Sequence, residues 1–208
     1  MKLYLSSYQL GDKVPELLRM LKGRTKVAVI NNAKDGLPAE SRQVSVSDQF
    51  TMFRELGLEP KEVDLRDYFV DNSGLHEALR AFDLVWVTGG NAFLLQKAFQ
   101  QSGLDAFLSD AIEQEEFIYG GFSAGVCVLA PTLRGIELVD DEQLQAEGYN
   151  PETIWEGLGI LPYHVAPHYK SDHPESSNID KVVEYWQKQG ITYKTLRDGE
   201  VIMIDMPS

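Results

Sequence analysis

The sequence predicts an α/β protein, a mostly parallel sheet with helices on both faces. Three observations predict it. Short apolar runs alternate with helix-spaced segments along the chain. Central runs such as Val27-Ala28-Val29-Ile30 are continuous rather than alternating, which suits strands buried on both faces. Two glycine pairs, Gly89-Gly90 and Gly120-Gly121, fall where such strands end, and in open α/β sheets sites lie beyond the carboxyl ends of the strands.

The elements follow in order. Residues 3–6 form a first apolar run, and 14–21 has helical spacing before the continuous run at 26–31. Residues 39–56 read as a long amphipathic helix, 61–65 as a third strand and 75–81 as a short helix. The run Asp83-Leu84-Val85-Trp86-Val87-Thr88 is a fourth strand that stops at Gly89-Gly90. Helices are expected at 93–101 and 104–113. The apolar strand 117–120 runs into Gly121 and is followed by a helix at 124–129. A strand at 163–166 and a helix at 178–189 come next. Residues 192–196 and 201–204 then read as a hairpin about Asp198-Gly199.

The chain has 208 residues and no repeat or low-complexity linker, so a single domain over 1–208 is expected. No apolar run reaches the length of a membrane span. The start, Met1-Lys2-Leu3-Tyr4-Leu5, is too short and too polar beyond Ser6 for a signal peptide, which points to the cytoplasm. A net charge of −13 argues against a nucleic-acid partner, because phosphate binding needs clustered Lys and Arg. The single Cys127 excludes an internal disulfide and a cysteine-based zinc site.

The chemistry concentrates at Gly121-Phe122-Ser123-Ala124-Gly125. This G-x-S-x-G pattern between an apolar strand and an apolar helix is the setting of a nucleophile elbow, whose tight turn requires small residues two before and two after the serine. The helix N-terminus after it offers the Ala124 N–H and a favourable dipole for an oxyanion. Val87-Thr88-Gly89-Gly90-Asn91 also leaves a strand and opens a helix, and Gly90 N–H is the expected second oxyanion donor. No G-x-G-x-x-G accompanies it, which disfavours a dinucleotide. Cys127 reads as a small buried hydrophobe.

A serine nucleophile needs a base. Three of the four histidines, His164, His168 and His173, fall within one short stretch. Pro167 breaks any helix that would pair His164 with His168 on a metal, so no metal is expected. The base needs an acid, and spacing leaves Glu137, Asp140, Asp141, Asp172, Glu175, Asp198 and Glu200 all open.

At these residues the sequence resembles the aspartyl dipeptidase (peptidase E) and cyanophycinase family of serine peptidases. Four segments carry the resemblance: Val87-Thr88-Gly89-Gly90-Asn91, the elbow with Pro131-Thr132-Leu133-Arg134 after it, Ala166-Pro167-His168-Tyr169, and Leu196-Arg197-Asp198-Gly199. The resemblance implies a three-layer, flavodoxin-like sheet similar to class I glutamine amidotransferases, with Ser123 where those carry cysteine. It implies Ser123 as nucleophile, His168 as base and Asp198 as the acid that orients it. Short peptides are the implied substrates, and no cofactor is implied. Asn91, Arg134 and Glu137 are the expected substrate-binding residues, Glu137 matching an acid that relatives carry after the elbow. The Glu-Thr-Arg motif of relatives reads here Glu175-Ser176-Ser177. With its arginine absent, strict Asp-X specificity is not expected unless Arg134, Lys170 or Arg197 substitutes. Another small-molecule amidase or esterase, or a binding protein that keeps the elbow, are the alternatives. A homodimer stays open.

Overall fold

The computed structural model describes residues 1–111 and 117–205. Six strands form the main sheet: β1 (Lys2–Ser6), β2 (Lys26–Ile30), β3 (Glu59–Glu62), β4 (Leu84–Val87), β5 (Ile118–Phe122) and β8 (Val201–Asp205). Their order is β3-β2-β4-β5-β1-β8. All neighbours run parallel except β8, which lies antiparallel on β1. A separate parallel pair joins β6 (His164–Ala166) to β7 (Tyr193–Thr195).

The continuous apolar strands alternate strictly between two cores. Leu3, Leu5, Ala28, Ile30, Val85, Val87 and Tyr119 face one core. Tyr4, Val27, Val29, Leu84, Trp86, Ile118 and Phe122 face the other. Helices α1 (Val14–Leu21) and α2 (Ala39–Glu55) supply Leu17, Leu21 and Phe53 to the second core. Helices α3 (Leu75–Arg80), α4 (Ala92–Ser102), α5 (Leu104–Ala111), α6 (Ala124–Cys127) and α7 (Ser176–Gln189) close the first. That gives the expected three layers. Among the described residues no helix is long and apolar enough to cross a membrane.

Three expectations need correction. The third strand lies at Glu59–Glu62 and not at 61–65. It is an edge strand of charged residues and Pro60, so it carries no apolar run; edges tolerate both. The apolar Val63 and Leu65 come after it, and Leu65 opens a 3-10 turn whose cap, Asp64, accepts from Arg66 N–H at 3.0 Å. The helix over 124–129 ends at Cys127. The hairpin about Asp198-Gly199 does not form: β7 pairs with β6, and β8 pairs with β1. The tight turn itself is present, with Glu200 N–H donating to Arg197 O at 2.9 Å. It links two sheets, because β8 covers the otherwise open edge of β1. The helix expected to reach 113 is α5, and its last expected residues lie outside the described residues.

Candidate active site

The carboxyl ends of β1, β4 and β5 lie side by side, since Ser6 pairs with Phe122 and Val87 with Gly121. The elbow sits on this shared rim. Ser123 follows β5 directly and caps α6 with φ 50° and ψ −115°, a conformation that costs a non-glycine residue of order 1–3 kcal/mol. The two motif glycines permit it by close approach: a Cβ on Gly125 would lie 2.5 Å from Val87 O, and one on Gly121 2.9 Å from the same oxygen. The Tyr119 hydroxyl donates to Gly125 O at 2.6 Å and ties the turn to the strand.

The second glycine loop presses against the elbow, as a Cβ on Gly89 would fall 2.9 Å from Ser123 Cβ. Gly90 has φ 144°, and a Cβ there would meet Ala33 O at 2.5 Å. Only glycine fits. Among the described residues, neither the Gly90 nor the Ala124 N–H donates a hydrogen bond. Asn91 is occupied in holding the loop. Its Oδ1 accepts from Leu94 N–H at 2.8 Å as the α4 cap, and its Nδ2 donates to Asp141 O at 2.8 Å.

The small β6–β7 sheet brings the histidine and its acid together. Its ladder continues past both strands: Leu196 N–H donates to Ala166 O at 2.9 Å, and Tyr169 N–H to Leu196 O at 3.0 Å. His168 and Asp198 thus emerge next to each other. His168 Nδ1 lies 2.7 Å from Asp198 Oδ1. Burial holds the imidazole below the usual histidine range. The Asp198 hydrogen bond opposes that shift, and the nearby His173 adds to it.

Ser7, at the end of β1, completes the network. Its buried hydroxyl donates to Asp198 Oδ1 at 2.8 Å and accepts from His168 N–H at 2.8 Å. The sequence carries no motif for this residue. Its position where β1 ends beside the elbow strand is the signal that points to it.

A narrow cavity of about 10 Å³ opens at Ser123, lined also by Ala124, Asp140, Pro167 and Glu175. Asp140 Oδ2 accepts from Ala92 N–H at 2.8 Å. Burial pushes its carboxyl up to about 7, and the Glu175 charge adds to the rise. Glu175 Oε2 lies 4.0 Å from His168 Nε2. Among the described residues no hydrogen bond joins Ser123 Oγ to the imidazole; catalytic bonds are often long without substrate and tighten in the Michaelis complex.

Arg134 and Glu137 do not line this cavity. The Arg134 guanidinium stacks on Trp155 at 4.2 Å, and Glu137 Oε2 accepts from Gly135 N–H. Lys170 sits over Tyr169 at 5.0 Å. Asp140, one of the acids that spacing left open, takes the place by the elbow. His164 is buried against Trp186 and lies 3.2 Å from Thr132 Oγ1. Burial pushes the Cys127 thiol far up, which keeps it inert. A cleft of about 510 Å³ lined by Gln100, Asn150 through Ile154 and Glu156 shares no residue with the elbow cavity.

The profile of Peptidase family S51 matches residues 9–206. Peptidase E of Streptomyces coelicolor is 29% identical over 152 residues, 68% of this chain and 59% of that protein. A probable alpha-aspartyl dipeptidase of Drosophila melanogaster is 27% identical over 142 residues, 63% of this chain and 56% of its own length. The matched stretch therefore spans less than two thirds of either relative. A crystal structure of a putative peptidase E from Listeria monocytogenes superposes with a TM-score of 0.74 at 22% identity, covering 99% of this chain and 98% of the other. A peptidase from an acI-B1 actinobacterium gives a TM-score of 0.69 at 16% identity, over 98% and 82%. These two likenesses establish the mostly parallel α/β fold.

Proposed function

The chain belongs to peptidase family S51, and on that basis we propose that it hydrolyses short peptides with Ser123 as nucleophile, His168 as general base and Asp198 as the acid that orients the imidazole. The observation that carries this reading is the His168–Asp198 pair, 2.7 Å apart, on the sheet rim that also holds a serine forced to φ 50°. Ser123 Oγ attacks the scissile carbonyl while His168 Nε2 takes its proton. The imidazolium, stabilised by Asp198, returns that proton to the leaving amine as the C–N bond breaks. Water then hydrolyses the acyl-enzyme by the same relay. The Gly90 and Ala124 N–H groups, which have no partner among the described residues, hold the oxyanion. Ser7 acts as a positioning residue, since one hydroxyl fixes both the acid and the backbone of the base.

The cavity wall argues for the substrate's character. Asp140 and Glu175 place carboxyl groups at the nucleophile, whereas Arg134 and Lys170 do not line its cavity and sit over aromatic rings. A substrate that brings a free ammonium suits this wall better than one that brings an aspartyl carboxylate. The reading includes a cytoplasmic setting with no cofactor and no nucleic-acid partner.

Labelling with a fluorophosphonate, read by intact mass, tests it. One adduct on the wild type, absent in Ser123→Ala and in His168→Ala, is expected. A folded wild type that neither takes label nor turns over any of a panel of dipeptides overturns it. Turnover of esters but not of peptides would favour an esterase on the same scaffold.

A further inference from the structure

We propose that His168, His173 and Glu175 form a binding site for a divalent transition cation, Zn²⁺ being the best fit, and that its occupation switches the proposed hydrolase off. One ligand atom from each residue falls within 4.8 Å of the others. Glu175 Oε2 lies 4.0 Å from His168 Nε2 and 4.0 Å from His173 Nδ1. Two imidazoles and a carboxylate are a donor set that zinc favours, leaving a fourth position for water.

The outer shell of His168 is already built. A histidine that ligates zinc almost always gives its other ring nitrogen to a carboxylate, a backbone carbonyl or water, which fixes the tautomer and raises ligand basicity. His168 Nδ1 has such a partner in Asp198 at 2.7 Å, and Ser7 holds Asp198 in turn. The pair that readies Nε2 to accept a proton readies it equally to donate its lone pair to a metal. The acidic wall formed by Asp140 and the net charge of −13 both favour a cation here.

Closing the set requires movement. The imidazoles of His168 and His173 stack at 3.7 Å with 9° between planes, whereas a metal lies in the plane of each ring it binds. Donors on tetrahedral zinc stand about 3.4 Å apart, given bonds of about 2.0–2.2 Å. His173 must tilt out of the stack and release the Glu175 N–H that its Nδ1 accepts at 3.3 Å, and the Glu175 carboxylate must come closer by a fraction of an ångström. Their side chains, 20% and 42% exposed, have room to move. His168, 1% exposed, stays as the anchor.

The inhibitory consequence rests on His168 being the base: a metal on Nε2 occupies the lone pair that would accept the serine proton. The coordination itself does not rest on that reading, so two readouts separate them. Zn²⁺ alone is titrated by calorimetry into untagged full-length wild type, His173→Ala and Glu175→Gln. One equivalent on the wild type is expected, weakened by more than about 100-fold in each variant, because even an outer-shell partner is worth about 10–100-fold. Fluorophosphonate labelling of Ser123 with saturating Zn²⁺ is then expected to vanish in the wild type, return with a chelator, and persist in His173→Ala. Absence of wild-type binding, equal binding by His173→Ala, or full labelling of zinc-saturated wild type each overturns the proposal. If the metal-free wild type neither takes label nor turns over any dipeptide, the proposed function fails while calorimetry still decides the cation site.

Discussion

Among single residues, one buried hydroxyl and one buried carboxyl matter most. Ser7 Oγ links Asp198 and His168 N–H, so Ser7→Ala frees the acid to rotate and leaves a buried N–H unpaired. Misplacement of a catalytic group by about 1 Å can cost about 100-fold. Ser7→Ala is therefore expected to lower kcat by about 10–100-fold with KM little changed, and Ser7→Thr, which keeps the hydroxyl, to recover most of it. Steady-state kinetics well below the melting temperature check this. Asp140 gives a prediction in stability. Its carboxyl titrates at about 7 in the fold, against an ordinary value of 3.8, so the folded state binds the extra proton between those limits. That contribution is complete below the lower value and is lost as pH rises through about 7. Asp140→Asn does not titrate and keeps an acceptor for Ala92 N–H. Its melting temperature is expected to gain on the wild type from about pH 5 to pH 8, by about 2–4 °C for each kcal/mol relieved. Thermal melts across that range decide it.

Among the elements, the loop at Gly89-Gly90 depends on a polar brace beside it. Arg42 of α2 is 7% exposed and pairs with Asp35, Glu62 and Asp64. This brace holds residues 31–36, whose Ala33 O accepts from Asn91 N–H at 2.8 Å and packs against Gly90. Removing one partner of a buried ion pair costs about 3–5 kcal/mol, because the other charge stays buried. Because Arg66 still pairs with Asp35 and Asp64, Arg42→Ala is expected to lose less than that in urea unfolding, about 1.5–3 kcal/mol. Arg42→Lys should fall between, since an ammonium cannot match the guanidinium fork. The β6–β7 ladder is the other decisive element. It converts two segments far apart in sequence into adjacent strands and delivers His168 and Asp198 at its end.

Over the molecule as a whole, charge bears on the substrate choice proposed above. The chain carries −13 overall, and two of the carboxyl groups counted in it, Asp140 and Glu175, line the cavity at Ser123, while Arg134 and Lys170 are held on aromatic rings. Free-amine dipeptides with a neutral first residue are expected to exceed Asp-X dipeptides in kcat/KM by at least about tenfold, the size of one interaction of about 1.4 kcal/mol. Parallel assays of Ala-X and Asp-X substrates, repeated at higher ionic strength, check it; salt should narrow the gap.

The layers and the elbow were legible in the residues alone. Strands buried on both faces must be continuously apolar, and a turn pressed against Val87 O must have glycine at 121 and 125, so both leave local marks. The glycine pair at 89–90 was legible for the same reason. Other features emerge only when distant segments meet. Edge strand β3 is half solvated, so its charged residues carry no apolar signal, and the apolar residues after it drew the expected strand downstream. The Asp198-Gly199 turn was visible, but which strand β8 would join depended on the open edge of β1. Asp140 reaches the cavity in place of Glu137, and Ser7 reaches Asp198 across the chain. Such contacts depend on how separate segments pack, and local spacing holds no record of that.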